Sequence, residues 1–223
     1  MTRQQLLIGL VALAVVAVGI VSWIVFFNDA PTDNFAAGSD KFGVTLTARD
    51  RTQGSPKAPI LMVEYAAPTC PVCAAFDMQI FPLLKKKYID TGKVYYVFRV
   101  FPLSSVDVAA ESIARCLPAE NYFAFIDLLY RNQPKWDPDG HDIPDVHGAL
   151  VQMAGFAGIG AQEVDTCIAN QSEATTITQV AQDGQTKYGI NATPSFVING
   201  EMRVGVGTWD DWQDYLNKLL AKK

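Results

Sequence analysis

Two cysteines separated by two residues, Cys70 and Cys73, are the side chains of this sequence best suited to redox chemistry. A strand-forming run at residues 60–66 ends shortly before them, and a helix-compatible run at residues 74–88 follows. Cys70 is therefore predicted at a helix N-terminus, where unpaired backbone N–H groups and the positive end of the helix dipole stabilise a thiolate. Cys73 lies one turn further on and can close a disulfide with Cys70. This arrangement predicts thiol–disulfide exchange.

The same pair has two simpler interpretations, a structural disulfide and half of a zinc site. A zinc site needs about four ligands, but the sequence contains no second Cys-x-x-Cys motif. The two histidines, His141 and His147, stand in or near a polar loop without metal-ligand spacing to each other or to a cysteine. Redox chemistry at Cys70 and Cys73 is therefore the favoured interpretation, and we expect no metal.

Glu64 is a carboxylate inside the otherwise apolar run at residues 60–66. Burying an unpaired charge costs several kcal/mol, so this side chain should hold a proton near neutral pH or find a partner. The alternative is that the strand lies at an edge, from which Glu64 reaches solvent.

The overall charge and the cysteine count limit the class of protein. The net charge is −5 and the isoelectric point is near 5.0, which argues against a nucleic-acid partner. Beside Cys70 and Cys73 the sequence contains Cys116 and Cys167. An even number of cysteines in an exported domain allows two disulfides.

Residues 6–27 form an apolar stretch that is interrupted only by two glycines and a serine. As a helix it would be about 33 Å long, enough to cross a hydrocarbon core of about 30 Å. We expect a transmembrane signal anchor, with a cleaved signal peptide as the alternative. Positive charge before the span predicts that residues 1–5 are cytoplasmic and that the rest of the chain lies outside the cytoplasm. Residues 28–41 are predicted to be a flexible tether.

The elements around the cysteines predict a βαβ unit. Residues 94–101 are rich in β-branched and aromatic residues and form the second strand, parallel to residues 60–66. The helix between them spans residues 70–88 and should kink at Pro82. Residues 42–47 are a candidate edge strand, and residues 49–59 are predicted to be a loop.

A helical block follows the second strand. Helical periodicity continues from residue 104 to 188, with a polar loop at 132–144, and predicts helices at 106–116, 120–131, 145–155, 162–169 and 173–188. A hairpin at 194–199 and 202–206 and a helix at 209–220 end the chain. Without the block, the order is β-α-β and then β-β-α. The sequence therefore predicts an α/β, thioredoxin-like domain (42–103 and 189–223) with an inserted all-helical domain (104–188).

Several motifs together carry a resemblance to a known family. They are Gly54-Ser55-Pro56-Lys57-Ala58-Pro59, Val63-Glu64-Tyr65, Cys70-Pro71-Val72-Cys73, Phe101-Pro102-Leu103, Tyr188-Gly189-Ile190, Thr193-Pro194-Ser195-Phe196 and Ile198-Asn199-Gly200. From about residue 48 to the C-terminus, the chain resembles the DsbA-type thiol:disulfide oxidoreductases of bacterial envelopes. The Ala114-Arg115-Cys116 motif and Cys167 resemble the alphaproteobacterial branch of that family.

The resemblance implies roles for individual residues. Cys70 is the expected nucleophile, and Cys73 is the expected leaving sulfur. Pro194 is expected to follow a cis bond opposite the cysteines, although a trans turn is the alternative. Thr193 would then expose backbone to an extended substrate and could bring its hydroxyl to the Cys70 sulfur. Glu64 is expected to relay a proton to Cys73.

The resemblance also implies a second disulfide. Cys116 and Cys167 both fall on predicted helices and are expected to form a structural bridge, with a second redox pair or two buried thiols as alternatives. Closing a loop of about 50 residues is worth roughly 4 kcal/mol in the chain-entropy model.

The active-site dipeptide Pro71-Val72 departs from the best-known members, which carry histidine in the position of Val72. Valine cannot donate a hydrogen bond, so we expect helix-terminal N–H groups alone to stabilise the Cys70 thiolate and the pair to be less oxidising.

The expected function is disulfide formation in exported polypeptides that carry free thiols, with no bound cofactor. A DsbB-type membrane quinone oxidoreductase is the implied recycling partner. The expected location is the bacterial inner membrane through residues 6–27, with the catalytic domain in the periplasm, or released there if the signal is cleaved. The alternatives are an isomerase or reductase of the same fold, a peptide-binding chaperone without enzymatic activity, and a metal-binding module.

Overall fold

A five-stranded mixed sheet forms the centre of the fold. The computed structural model describes residues 40–222. The strands of the sheet are β3 (Arg51–Gln53), β4 (Ile60–Ala66), β5 (Val94–Val100), β6 (Ser195–Ile198) and β7 (Glu201–Val204), and a separate hairpin joins β1 (Asp40–Lys41) to β2 (Val44–Thr45). The order in the sheet is β3-β5-β4-β6-β7, with β4 and β5 parallel and β6 antiparallel to β4. The predicted parallel pairing of β4 with β5 is confirmed.

The helices lie before β5, between β5 and β6, and after β7. They are α1 (Pro71–Gln79), α2 (Phe81–Leu84), α3 (Ser105–Cys116), α4 (Tyr122–Arg131), α5 (Gln133–Trp136), α6 (Val146–Phe156), α7 (Ala161–Ile168), α8 (Gln171–Tyr188) and α9 (Trp209–Ala221). A π-helical turn (Lys85–Ile89) follows α2, and a 3₁₀ turn (Ala119–Asn121) precedes α4. The helical content predicted between β5 and β6 is confirmed, while the boundaries of an inserted domain remain a prediction.

β4 and β5 are buried along their whole length because helices cover both faces of the sheet. On one face, α1 and α9 pack against β6 through Phe76, Trp212 and Phe196, whose ring centroids lie 4.9–5.7 Å apart. On the other face α8 approaches so closely that a Cβ atom at Gly184 would lie 2.6 Å from the ring of Tyr65. Strands buried on both sides explain why these sequence runs are almost continuously apolar.

The predicted loop at residues 49–59 is wrong in part, because it contains β3. This strand pairs antiparallel with β5, with Arg51 opposite Phe98. Its sequence, Arg-Thr-Gln, carries no apolar alternation, since an edge strand that is only half buried needs none. The predicted edge strand at residues 42–47 is shorter than expected, and β2 pairs with β1 instead of joining the large sheet.

The helix predicted at residues 70–88 is divided into α1, α2 and the π-helical turn. α1 ends at Gln79, and its C-cap residue Ile80 lies two residues before Pro82. Proline has no N–H to donate to the carbonyl of residue 78, so the α-helical ladder cannot continue through this point. The predicted kink is therefore present as a break.

The loop predicted at residues 132–144 contains the short helix α5, which the sequence analysis missed. Pro134 lies in the first turn of α5, where its missing N–H costs nothing. The indole of Trp136 is buried and donates to the Leu129 carbonyl at 2.8 Å, which fixes α5 against α4.

Residues 40–222 include no helix that combines the length and the hydrophobicity of a membrane span. The predicted span at residues 6–27 and the predicted cytoplasmic residues 1–5 lie outside the described residues, as does most of the predicted tether at 28–41.

Candidate active site

Cys70 is the N-cap residue of α1, which begins where the chain leaves the central strand β4. Its sulfur accepts a hydrogen bond from the backbone N–H of Cys73 at 3.3 Å, and Pro71 occupies the first turn. The Cys70 residue is only 5% exposed. Both Cys70 and Cys73 are free thiols. The Cys70 sulfur thus accepts a hydrogen bond from one of the N–H groups that a helix leaves unpaired at its start.

Several donors converge on the Cys70 sulfur. A hydrogen bond from the Cys73 thiol lowers the pKa of Cys70 to about 6, against the opposing effect of burial. The Thr193 side chain and the backbone N–H groups of Cys73 and Val72 contribute to the same lowering of the pKa. At pH 7 a thiol of this acidity is about nine-tenths ionised. The expectation that helix-terminal N–H groups alone stabilise the thiolate is wrong, because two side chains contribute as well.

Cys73 has the opposite character. It is fully buried, and this burial, together with the Cys70 sulfur beside it, raises the pKa of Cys73 far above its ordinary value. Glu64 acts in the same direction when its carboxyl group is ionised. One thiolate and one neutral thiol therefore lie side by side, which is the state that a reduced exchange pair needs.

The peptide bond between Thr193 and Pro194 is cis and lies beside the cysteines. The Cys70 sulfur lies 3.5 Å from the Thr193 carbonyl oxygen, to which it donates when it is protonated. The antiparallel pairing of β4 with β6 brings this about, because Ser195 at the start of β6 lies opposite Tyr65 at the end of β4. Pro194 is buried and Thr193 is partly exposed, so the Thr193 residue forms part of the surface next to Cys70.

Glu64 is buried under the active-site helix, with 2% of the residue exposed. The alternative that a strand edge lets Glu64 reach solvent is therefore wrong. Burial raises the pKa of Glu64 to about 8, although a hydrogen bond from the Tyr96 hydroxyl, at 2.8 Å, works against this rise. The carboxyl group is therefore mostly protonated at pH 7 and lies close enough to Cys73 to influence its titration.

Tyr96 is a site residue that the sequence analysis missed. Tyr96 lies in β5, opposite Met62 of the parallel strand β4, and Phe98 lies opposite Glu64. Residues directly opposite each other in paired strands point to the same face of the sheet, and so do residues two positions apart in one strand. The alternation of β5 could therefore have placed Tyr96 on the face of Glu64, once the pairing register was known.

A second acidic group lies on α1, four residues after Cys73. Burial, and then the negative charge of Asp127 on α4, raise the pKa of Asp77 to about 7. Arg131 donates to Asp127 at 2.8 Å and lowers the cost of the pair. Because α1 and α4 pack together, this carboxyl pair lies on the same side of α1 as Cys73.

Two further side chains missed from the sequence contact the turn before Cys70. The amide of Gln133, in α5, donates to the carbonyls of Pro68 and Cys70 at 2.8 and 3.1 Å. The carboxylate of Asp107, in α3, accepts from the backbone N–H of Thr69 at 2.8 Å. The only sequence signal was the spacing Ser104-x-x-Asp107, which is typical of a helix capping box.

Cys116 and Cys167 are joined by a disulfide between α3 and α7, with an S–S distance of 1.97 Å and a Cα–Cα distance of 6.1 Å. The two histidines lie elsewhere on the surface. His147 contacts Asp165 through Nε2 at 2.7 Å. Within residues 40–222 no cluster of three or more His, Cys, Asp or Glu side chains is arranged to hold a metal.

Comparison with known proteins agrees with this geometry. The sequence model described as thioredoxin matches residues 46–218. The crystal structure of Wolbachia pipientis alpha-DsbA1 is similar, with a TM-score of 0.72 and 31% sequence identity over 79% of this chain and 94% of that one. The chain belongs to the thioredoxin family, in its DsbA-type branch. The predicted thioredoxin-like α/β fold is thereby confirmed.

Curated relatives of this DsbA-type protein carry names of the same kind. A putative protein-disulfide oxidoreductase of Rickettsia felis is 36% identical over 180 residues, which are 78% of this chain and 61% of the relative. The disulfide bond formation protein D of Bacillus subtilis is 25% identical over 182 residues, or 76% of this chain and 77% of the relative. The chain spans about three fifths of the length of the Rickettsia relatives.

Proposed function

We propose that this DsbA-type protein is a thiol:disulfide oxidoreductase that forms disulfide bonds in exported polypeptides through Cys70 and Cys73. The observation that carries the proposal is the asymmetry of the pair. Cys70, with a pKa of about 6, is a stable thiolate, whereas Cys73 is buried with a pKa far above the ordinary range. The names of the relatives support the same reaction class.

The first step begins with the Cys70–Cys73 disulfide. A substrate thiolate attacks the Cys70 sulfur, the S–S bond to Cys73 breaks, and its electron pair leaves on the Cys73 sulfur. Cys73 then takes up a proton, because its buried position strongly disfavours the thiolate. Glu64, which is protonated at pH 7, is the acid we assign to this transfer.

The second step releases the product. A second substrate thiolate attacks the substrate sulfur of the mixed disulfide, forming the substrate disulfide and expelling Cys70 as a thiolate. Its pKa of about 6 makes Cys70 a good leaving group. The two electrons stay on the reduced enzyme as the Cys70 thiolate and the Cys73 thiol. A recycling oxidant must remove them, and we propose a DsbB-type membrane quinone oxidoreductase for this role.

The direction of exchange follows from the stability of the reduced pair. Hydrogen-bond donors at the Cys70 sulfur stabilise the thiolate and therefore the reduced enzyme. Because the reduced enzyme is stabilised, its disulfide form is an oxidant. Val72, 45% exposed and without a polar group, adds no donor of its own side chain. This feature favours the second candidate, an isomerase or reductase. A reduction potential near the thioredoxin value of about −270 mV would favour this second candidate over the oxidase.

Substrate recognition is proposed at Thr193. The residue is partly exposed next to a sulfur that is itself nearly buried. An extended substrate segment that pairs with Thr193 backbone would bring its cysteine to Cys70. We further propose that residues 6–27 anchor the chain in the inner membrane and that the catalytic part lies in the periplasm, as the charge pattern of the N-terminus predicts.

The test compares wild type with Cys70→Ser in two assays, reduction of insulin and refolding of reduced, denatured ribonuclease. We expect both activities to be lost in Cys70→Ser and kept in a Cys116→Ser/Cys167→Ser control, which lacks the bridge between α3 and α7. Refolding activity that survives in Cys70→Ser would support a chaperone without enzymatic activity. Inactive wild type in both assays would refute the proposal.

A further inference from the structure

The segment that delivers Cys70 to the start of α1 is a tight turn over residues 67–70. The Cys70 N–H donates to the Ala67 carbonyl at 3.0 Å, and Pro68 occupies the second position of the turn. The central peptide group of such a turn, here between Pro68 and Thr69, has two orientations. They differ by a flip that exchanges the directions of its carbonyl and its N–H. Cys70 is the fourth residue of this turn and closes it through its N–H.

Both polar atoms of this central peptide group are bound by side chains from distant helices. Gln133 Nε2 donates to the Pro68 carbonyl at 2.8 Å, and the Thr69 N–H donates to Asp107 Oδ1 at 2.8 Å. Gln133 Nε2 also donates to the Cys70 carbonyl at 3.1 Å. A donor therefore lies on the carbonyl side of the peptide group, and an acceptor lies on its N–H side.

A flipped peptide would be opposed at both ends. The Pro68 carbonyl oxygen would face the Asp107 carboxylate, and the Thr69 N–H would face the amide hydrogens of Gln133. The flipped turn also requires a positive φ at its third position. Thr69 does not have a positive φ, and a β-branched residue adopts one only at a cost. Gln133 and Asp107 thus select one orientation of the turn.

The two side chains are held in place. Asp107 is fully buried, and its second oxygen accepts from the N–H groups of Leu103 and Ser104 at 2.8 and 3.0 Å. Gln133 is 7% exposed and lies in α5, which the buried Trp136 fixes. Asp107 is therefore held by bonds that do not involve the turn, and Gln133 is confined by its burial.

We propose that Gln133 and Asp107 are positioning residues: by fixing the Pro68–Thr69 peptide they hold the Cys70 sulfur against Thr193 and the N–H of Cys73. The inference rests on the proposed exchange function for its significance, but the geometry of the sulfur can be measured separately. The helices between β5 and β6 thereby control the redox pair through two side chains, neither of which touches a sulfur atom in the described contacts.

The test uses Gln133→Met, which keeps the length of the side chain and removes its donors. Asn132→Leu is the matched control, because the neighbouring Asn132 amide donates to the Leu128 carbonyl and does not contact the turn. For each full-length protein, the pKa of Cys70 is read from thiolate absorbance at about 240 nm, and the equilibrium constant with glutathione is measured. Thermal unfolding reports the general loss of stability.

We expect Gln133→Met to raise the Cys70 pKa by about half a unit and to shift the glutathione equilibrium about threefold towards the disulfide. Asn132→Leu should lower the unfolding temperature without moving either quantity. An unchanged pKa and equilibrium constant in Gln133→Met would overturn the proposal, as would an equal shift in Asn132→Leu. If Gln133→Met does not fold, Gln133→Asn replaces it, because its amide lies about one C–C bond further from the turn. The Cys70 pKa must then rise by a smaller amount in Gln133→Asn, or the proposal fails.

These outcomes separate the inference from the proposed function. The thiolate titration needs no substrate, so a shift in Gln133→Met would support the positioning role even if wild type neither reduced insulin nor refolded ribonuclease. Conversely, an active wild type with an unshifted Gln133→Met would leave the exchange function intact and remove the positioning role.

Discussion

Glu64→Gln should make the protein more stable at neutral pH, which is unusual for a change at a buried site. The carboxyl of Glu64 has a pKa of about 8 in the folded protein, against an ordinary value of 4.5. As the pH rises, the unfolded chain releases this proton first. Between these two values the unfolded state binds fewer protons, so the free energy of unfolding falls as the pH rises. The stabilisation that the neutral Glu64 carboxyl contributes is complete below pH 4.5 and is lost as the pH rises to about 8.

The size of the effect follows from the same two values. One pKa unit corresponds to about 1.4 kcal/mol, so the 2.5 units between 4.5 and pH 7 correspond to about 3 kcal/mol. Glutamine is neutral at every pH and keeps an oxygen that can accept from the Tyr96 hydroxyl, which now bonds Glu64 at 2.8 Å. We therefore expect Glu64→Gln to exceed wild type by about 3 kcal/mol at pH 7 and to match it near pH 4.

The assay is urea unfolding at pH values from 4 to 8, with Cys70 and Cys73 kept reduced. The difference between the two proteins should grow by about 1.4 kcal/mol per pH unit across the middle of this range. Glu163→Gln changes an exposed glutamate in the first turn of α7 and is the control, whose stability curve should run parallel to that of wild type. Parallel curves for Glu64→Gln and wild type would refute the assignment of a buried, neutral carboxyl group.

Three further outcomes are expected. The rate of Cys70 alkylation by iodoacetamide should rise with pH and reach half its maximum near pH 6, since the pKa of Cys70 is about 6. A midpoint near pH 8.5, the value of a free cysteine, would contradict the hydrogen bonds to the Cys70 sulfur. Removing the bridge with Cys116→Ser/Cys167→Ser, which opens a sequence separation of 51 residues, should cost about 2–4 kcal/mol in urea unfolding while insulin reduction continues. Gly184→Ala should cost about 1–3 kcal/mol, because the new Cβ would lie 2.6 Å from the Tyr65 ring; an unfolding free energy equal to wild type would show that α8 can move away.

Much of the fold could be predicted because its central strands carry a strong local signal. β4 and β5 are continuous apolar runs, and the helix after β4 starts at the paired cysteines. β3 could not be recognised in the same way, because an edge strand of polar residues has no apolar pattern. α5 was missed because a proline such as Pro134 usually indicates a loop. Proline also suits the first turn of a helix, which is its position here.

The candidate site divides along similar lines. Cys70, Cys73 and Pro194 belong to short motifs, and Glu64 stands out as a charge in an apolar strand. By contrast, Gln133 reaches the Cys70 carbonyl across 63 positions of sequence, and nothing in its own neighbourhood indicates that contact. Side chains that act through long-range hydrogen bonds depend on tertiary packing, which local patterns do not encode.

The origin of the groups around Cys70 has a consequence for the order in which the centre matures. The two cysteines leave the ribosome early, but Asp107, Gln133 and Thr193 are synthesised 37, 63 and 123 positions after Cys70. Until Thr193 is synthesised, Cys70 lacks the Thr193 side chain that lowers its pKa. Asp107 and Gln133 must also be synthesised before their side chains can bind the turn ahead of Cys70. A growing or partly exported chain therefore carries a less acidic Cys70 thiol, and its full reactivity appears only when the segment that carries Thr193 and the C-terminal hairpin docks.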